Sequence, residues 1–143
     1  MRILFDTNII LDVLLNRKDF VEFSANLVGM AENNQIDGYL CTTTITTLYY
    51  LISKTTNRKQ AKIEIQKLLT IFGIADVNST VLELSVNSEF GDFEDAVQYY
   101  SGECCGVDGL VTRNAKDYKN TNLPIYTSEE LLGIVTINQH GKA

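Results

Sequence analysis

The chain has few of the residues that crosslink small proteins or bind zinc. Its 143 residues include three cysteines, one proline, one histidine and no tryptophan. Cys41, Cys104 and Cys105 are odd in number and two are adjacent, which is a poor basis for a disulfide framework. A zinc site on the adjacent pair is also disfavoured, because the spacing fits no zinc pattern and the only histidine is His140. The sequence therefore indicates reduced, mostly buried thiols and a cytoplasmic protein.

Long apolar runs are also missing. No stretch reaches the roughly 18 apolar residues that a membrane span requires, and Asp6 and Asp12 interrupt the apolar N-terminus where a signal peptide would need its core. With 45% hydrophobic and 21% charged residues, the composition is that of a soluble globular protein. We expect one domain over residues 1–137, a tail over residues 138–143, and no membrane association.

The net charge of −6 conceals a strong asymmetry. Eight acids and no base lie between positions 76 and 108, whereas five bases and one acid lie between positions 54 and 67. A second basic cluster consists of Arg113, Lys116 and Lys119. The acidic stretch is either a solvated helical face or the centre of an enzyme that holds a cation and acts on a polyanion.

Predicted strands and helices alternate along the chain, without repeats or low-complexity linkers. Short apolar runs predict strands at the N-terminus and within residues 36–41, 74–77, 107–112 and 124–126. Apolar residues at helical spacing predict helices over residues 9–15, 19–33, 61–72, 79–87 and 92–104, with one more helix capped by Thr43 or Thr44 and a closing turn capped by Ser128. This alternation predicts a three-layer α/β/α sandwich with a mainly parallel sheet of four or five strands.

Acids and amides occur at three places in this pattern. Asp6 ends the first strand, and ligands of open α/β sheets bind at the carboxyl ends of the strands. Asp92 and Asp95 lie on the same side of the first turn of a helix. Asn114 and Asp117 follow a buried strand. Because all these side chains offer oxygen ligands, a shared site would suit Mg²⁺ or Mn²⁺ rather than zinc.

Each of the three places also has a purely structural interpretation. Asp6 or Asn8 could cap the helix that follows. Asp92 could be a helix N-cap, with Asp95 favoured by the helix dipole in the first turn. Residues 112–118 could form an ordinary turn, in which asparagine and aspartate are common.

Taken together, the three places resemble the PIN-domain nucleases, a family that includes the VapC-type toxins of prokaryotic toxin–antitoxin pairs. The resemblance rests on residues 6–12 (DTNIILD), residues 92–96 (DFEDA) and residues 110–114 (LVTRN) followed by Asp117 and Tyr118. Their order and spacing cover about residues 1 to 130. The resemblance implies an α/β/α sandwich that cuts RNA with Mg²⁺ or Mn²⁺, which acids hold and which activates a water molecule.

The resemblance also assigns roles to individual residues. It makes Asp6 and Asp95 metal ligands, with Asp92 and Asp117 as neighbouring acids. Thr47 stands where the family usually has a second acid, and Asn114 where many members have a fourth. The candidate substrate-binding residues are Thr47, Arg113 and Lys116.

Family membership would further suggest a homodimer and, for a toxin, a small antitoxin that covers the acidic crevice. The apolar side chains of Leu14, Leu15, Tyr49 and Tyr50 could belong to an interface or to the core, and we interpret them as core.

Two other functions remain open. A PIN-like module whose site has eroded at Thr47 and Asn114 could bind RNA or a protein without cleaving. A phosphatase similar to the haloacid dehalogenases could use Asp6 as its nucleophile, although that family has a second acid where this chain has Asn8. The phosphate-binding loop and dinucleotide fingerprint of nucleotide-dependent enzymes are absent from the sequence.

Overall fold

The computed structural model describes residues 1–140. Its strands are β1 (Arg2–Phe5), β2 (Asp37–Cys41), β3 (Gly73–Ala75), β4 (Gly109–Val111) and β5 (Ile125–Tyr126). Its helices are α1 (Thr7–Leu14), α2 (Val21–Glu32), α3 (Thr42–Thr55), α4 (Arg58–Ile71), α5 (Ser79–Val86), α6 (Phe93–Cys105) and α7 (Ser128–His140). A short 3₁₀ helix covers Ala115–Asp117.

The five strands form one parallel sheet in the order β3-β2-β1-β4-β5. The predicted sandwich with a mainly parallel sheet is therefore confirmed. Strand β1 lies in the centre, where Leu4 is in register with Tyr39 of β2 on one side and Leu110 of β4 on the other. The strand order reverses at β1, and in sheets of this kind a crevice opens at the carboxyl end of such a strand. Asp6 lies at that position.

Alternating side chains of β1 divide the core into two layers. Ile3 and Phe5 pack in one layer with apolar residues of α1, α2, α3, α4 and α7. Leu4 faces the opposite layer, where it packs with Tyr99 of α6. The side chains of Ile3, Leu4 and Phe5 are fully buried, as expected for a central strand that is covered on both faces.

Two predicted helix caps have different outcomes. Asp92 is the N-cap of α6, as predicted, and its side chain accepts a hydrogen bond from the Asp95 backbone N–H. The prediction that Thr43 or Thr44 caps the third helix is wrong, because α3 begins at Thr42 and its N-cap residue is Cys41. Thr44 is instead buried and hydrogen-bonded to the hydroxyl of Thr7.

The C-terminal helix is longer than the predicted closing turn. Helix α7 runs from Ser128 to His140, and its cap is Thr127 rather than Ser128. The Thr127 hydroxyl accepts from the Glu130 N–H at 3.2 Å, and the Glu130 carboxylate accepts from the Thr127 N–H at 3.1 Å, which forms a capping box. Of the predicted tail, residues 138–140 lie in the last turn of α7, and residues 141–143 lie outside the described residues.

The interpretation of four apolar side chains as core is right for two of them. Leu14 and Tyr49 are partly buried and pack against the larger core layer. Leu15 is 40% exposed and Tyr50 is 57% exposed, so these two are not core residues. Leu15 lies beyond the last residue of α1, and the Tyr50 ring lies at the surface beneath the Lys54 ammonium group, 4.9 Å from it.

The three cysteines are free thiols, as the sequence indicated. The expectation that they are mostly buried is wrong: Cys41 is buried, but Cys104 is exposed and Cys105 is intermediate, because these two lie in the last turn of α6.

No helix within residues 1–140 combines the length and the apolar character that crossing a membrane demands.

Helix α6, which carries Asp95, ends at a glycine that its backbone conformation requires. Gly106 has φ +83°, and its N–H bonds the carbonyl of Glu103. We expect Gly106→Ala to lower the free energy of unfolding by about 1 kcal/mol, because a side chain is strained in the left-handed region. Gly29→Ala, within α2 and with open space around its Cβ, should stabilise by about 0.5–1 kcal/mol. Urea denaturation of both variants measures the difference, and equal effects would contradict the prediction.

Candidate active site

Asp6 lies at the carboxyl end of β1 and is 3% exposed. Its Oδ1 accepts from the Asn8 backbone N–H at 3.2 Å, which caps α1. Its Oδ2 accepts from the Thr112 hydroxyl at 2.6 Å, and that hydroxyl also accepts from the Asn114 N–H at 3.1 Å. The capping interpretation of Asp6 is therefore correct, and it leaves the acid at the edge of the sheet where the crevice was expected.

Asp95 lies in the first turn of α6, and the structure brings it close to Asp6 although they are far apart in the sequence. Burial, followed by the nearby negative charges of Asp92, Asp6 and Asp117, raises the pKa of Asp95 to about 6. Within the part of the chain that the structure describes, no lysine or arginine forms an ion pair with Asp6 or Asp95. The site is thus a concentration of negative charge that the protein itself leaves uncompensated.

The buried ring of Tyr118 lies beside these two acids. Tyr118 is 5% exposed and packs against the Phe90 ring, with centroids 5.8 Å apart. Its hydroxyl donates a long hydrogen bond to Asp95 Oδ1 across 3.5 Å. Burial, followed by the Asp6 and Asp95 charges, raises the pKa of Tyr118 above its ordinary value. The phenol is therefore protonated and acts as a donor to the acids.

The donor set fits a hard divalent cation that is held mainly by solvent and substrate. Among residues 1–140, no three histidine, cysteine, aspartate or glutamate side chains form a group that could hold a metal ion. Zinc sites usually need three or four protein ligands, whereas Mg²⁺ commonly binds one or two carboxylates and completes its shell with water and phosphates. Asp6 and Asp95 meet that smaller requirement. The mutual repulsion that raises the pKa of Asp95 is also what a cation would relieve.

An open cleft of about 830 Å³ lies in front of Asp95. Its acids are Glu89, Asp92, Asp95 and Asp117, its bases are Lys116 and Lys119, and its aromatic rings are Phe90 and Tyr100. Acids and lysines that line the same cleft are the arrangement expected where a cation and a polyanion meet.

The remaining predicted site residues lie in different surroundings. Lys116 lines the cleft. Asn114 is half-buried just before the 3₁₀ helix, where its N–H bonds the Thr112 hydroxyl. Thr47 is half-buried in the second turn of α3 and is not among the residues that line the cleft.

Arg113, the other predicted phosphate ligand, is bound elsewhere. Its Nη2 lies 3.5 Å from Oδ1 of Asp12, an acid in α1 whose side chain is completely buried. Arg17 reaches the same oxygen at 3.4 Å, and the Ser24 hydroxyl donates to Asp12 Oδ2 at 3.3 Å. The Arg113 guanidinium also lies 4.3 Å from the centre of the Phe20 ring. These contacts give Arg113 a structural role, since they tie the segment after β4 to α1 and α2.

Sequence reasoning did not identify several polar residues that support the site. The Gln98 side-chain oxygen accepts from the Thr7 N–H at 3.1 Å, and the Thr7 and Thr44 hydroxyls are 2.8 Å apart. Thr112, which bonds Asp6, was missed as well. Gln98 offers a signal that could have been used, because it is a polar residue among apolar positions one turn after Asp95.

Known proteins provide an independent comparison. A family model described as "PIN domain" matches residues 2–116. Ribonuclease VapC1 of Aquifex aeolicus (strain VF5) is 27% identical over 134 residues, which cover 90% of this chain and 92% of that protein.

Two solved structures show the same fold. One is VapBC2 from Rickettsia felis bound to a DNA fragment from their promoter, with a TM-score of 0.65 and 19% identity over 89% of this chain and 98% of that chain. The other is a toxin–antitoxin complex from Klebsiella pneumoniae, with a TM-score of 0.66 and 20% identity over 87% of this chain and 96% of that chain.

The raised pKa of Asp95 has a consequence for stability. The ordinary value is 3.8 and the folded value is about 6, so the folded protein binds more protons than the unfolded chain between these pH values. Its stability therefore falls as pH rises through this window, and the cost is fully present above it. We expect Asp95→Asn to raise the melting temperature of the metal-free protein at pH 7.5 and to change it little at pH 4. Thermal denaturation in EDTA tests this, and an equal effect at both pH values would contradict it.

The pairing of Asp12 with two arginines predicts a large effect on stability. Asp12→Asn should lower the free energy of unfolding by about 3 kcal/mol, because it leaves Arg113 partly buried without its counter-charge. Glu64→Gln provides the control, because it removes the more exposed Lys67–Glu64 pair and should cost less than about 1 kcal/mol. Urea denaturation compares the two, and similar losses would contradict the structural role of Asp12.

Proposed function

Since the chain belongs to the PIN-domain family, we propose that it is a metal-dependent endoribonuclease that acts as the toxin of a toxin–antitoxin pair in the cytoplasm. The observation that supports this most directly is the meeting of Asp6, from the end of β1, with Asp95, from the start of α6, beside an open cleft. The proposed reaction is hydrolysis of an RNA phosphodiester.

In this proposal Asp6 and Asp95 hold Mg²⁺ or Mn²⁺. When bound, such an ion polarises a phosphate oxygen and lowers the pKa of a coordinated water molecule. Thr112 and Asn8 keep the Asp6 carboxylate in place through their hydrogen bonds to its two oxygens. Asp92 and Asp117 add negative charge near the cation, and neither needs to contact it.

The substrate lies in the cleft, with its phosphates near the lysines. Lys116 and Lys119 both line the cleft and would offset the charge of a polyanion against the acids. Arg113 contributes indirectly, because its ion pair with Asp12 fixes the segment from Thr112 to Lys116. This is a change from the direct phosphate contact that the sequence suggested for Arg113.

The proposal includes two protein partners. One is an antitoxin, a partner that the toxin–antitoxin complex of similar fold supports. In the proposal, one of its segments would cover the cleft. A second copy of the chain would form a homodimer. Exposed apolar side chains that could take part in such contacts include Leu15, Phe20 and Phe23.

An eroded module that binds RNA or a protein without cleaving is the second candidate. It is favoured by the neutral side chains at Thr47 and Asn114, which leave fewer than three acidic metal ligands among the described residues. Because ligand charge tunes cation affinity, such a site would bind Mg²⁺ or Mn²⁺ weakly.

Calorimetry with Mn²⁺ is the first test of the proposed function, because it needs no knowledge of the RNA target. We expect saturable binding to the wild type and at least about tenfold weaker binding to Asp6→Asn, since a charged ligand is lost. Asp37→Asn is the matched control, because Asp37 is an exposed acid at the opposite end of the sheet. Circular dichroism confirms that each variant is folded. A folded wild type that binds no Mn²⁺ would contradict the metal-dependent mechanism.

Cleavage of RNA separates the two candidate functions. With Mn²⁺ and a pool of single-stranded RNAs, Asp95→Asn should reduce cleavage by at least about tenfold, since even residues that only orient metal ligands contribute about 10- to 100-fold. EDTA should abolish cleavage by the wild type. Cleavage that survives Asp95→Asn unchanged would overturn the assignment, and Mn²⁺ and RNA binding without any cleavage would favour the eroded module.

A further inference from the structure

The hydroxyl of Tyr118 contacts one of the two proposed metal ligands and lies near the other. It donates to Asp95 Oδ1 across 3.5 Å, and it is close enough to Asp6 for both charges to act on the phenol. The hydroxyl therefore faces the carboxylates that a cation would bind. The mechanism proposed above makes no use of it.

The ring of Tyr118 is held in place by its neighbours. It belongs to a buried cluster with Leu4, Tyr99 and Leu110, and it meets the Phe90 ring in an edge-on arrangement at an interplanar angle of 77°. A phenylalanine ring would make the same contacts. Replacing Tyr118 by phenylalanine therefore tests the role of the hydroxyl without changing the packing of the ring.

Hydrogen bonds already occupy three of the four carboxylate oxygens of the two acids. Asp6 Oδ1 accepts from the Asn8 N–H, and Asp6 Oδ2 accepts from the Thr112 hydroxyl. Asp95 Oδ1 accepts from the Tyr118 hydroxyl. A cation that binds Asp95 through Oδ1 approaches the lone pairs that this hydroxyl uses, so the hydroxyl and the cation compete for that oxygen.

We propose that the Tyr118 hydroxyl competes with the divalent cation for Asp95 Oδ1: it stabilises Asp95 in the metal-free protein and loses this acceptor when the cation binds. The inference rests on the proposed function, because it assumes the same metal site. It assigns Tyr118 the role of a residue that sets metal affinity, and Tyr118 is neither a metal ligand nor a catalytic residue.

Linkage between the two states gives the expected direction. Tyr118→Phe removes a hydrogen bond that only the metal-free protein makes, so the metal-free state becomes less stable while the metal-bound state is unchanged. Mn²⁺ should then bind more tightly, by about tenfold if the bond is at the weaker end of those to charged groups. If Tyr118→Phe only damaged the site, the variant would have both a lower metal-free stability and weaker Mn²⁺ binding.

The experiment measures two quantities on the full chain. Calorimetry with MnCl₂ alone gives the dissociation constants of the wild type, Tyr118→Phe and Tyr50→Phe, and thermal denaturation in EDTA gives their metal-free melting temperatures. Tyr50→Phe is the matched control, because that ring is 57% exposed on α3. We expect tighter Mn²⁺ binding and a lower metal-free melting temperature for Tyr118→Phe only.

Each result decides between the alternatives. If the wild type binds Mn²⁺ and Tyr118→Phe binds equally or more weakly, the competition is disproved and the proposed metal site stands. If only Tyr118→Phe binds, the competition is supported in its strongest form. If neither binds, both the competition and the metal-dependent mechanism fail.

A measurement on the wild type avoids any dependence on the folding of the variant. With tyrosines labelled at the hydroxyl-bearing carbon, titration with Mg²⁺ should shift the NMR signal of Tyr118 and leave that of Tyr50 in place. A Tyr118 signal that stays unchanged while Mg²⁺ binds would overturn the proposal.

Discussion

The hydrogen bond from the Thr112 hydroxyl to Asp6 Oδ2, at 2.6 Å, connects the carboxyl ends of the two central strands β1 and β4. A carboxylate that is 3% exposed would be costly without donors. Asp6 is stabilised by this bond and by a second hydrogen bond from the Asn8 N–H, which caps α1. The same Thr112 hydroxyl orders Asn114 and with it the segment that leads to Lys116 and Tyr118. The contacts of this single carboxylate therefore connect the end of β1 with the segment that follows β4.

The chain stabilises its buried acids in two different ways. Asp12 is completely buried and is paired with the positive charges of Arg17 and Arg113. Asp6 and Asp95 receive hydrogen bonds from neutral donors, namely hydroxyls and a backbone N–H, and their repulsion contributes to the raised pKa of Asp95. Neutral donors satisfy the hydrogen-bonding capacity of a carboxylate but do not neutralise its negative charge. That difference makes the Asp6–Asp95 region suitable for an external cation and makes the Asp12 region a structural ion pair.

In the proposed metal site, the departures from the pattern of PIN domains would weaken cation binding without abolishing it. Thr47 and Asn114 are neutral where acids are usual, so fewer charges are available for a cation than in a complete acidic cluster. Asp92 and Asp117 still act electrostatically on Asp95. The balance between a functional and an eroded site would therefore depend on small differences in cation affinity, and the proposed competition by Tyr118 is one source of such a difference.

The sequence by itself determined the alternation of strands and helices, the sheet type and the caps at Asp6 and Asp92, because these follow from local periodicity and from contacts between near neighbours. It also brought Asp6 and Asp95 together, although only through the resemblance to a known family. The pairing of Arg113 with Asp12, the position of Tyr118, the full length of α7 and the exposure of Leu15 and Tyr50 were decided by the tertiary structure. Each depends on which elements become neighbours in space. Thr112 and Asp6, for example, are 106 positions apart and meet only because β4 lies beside β1 in the sheet.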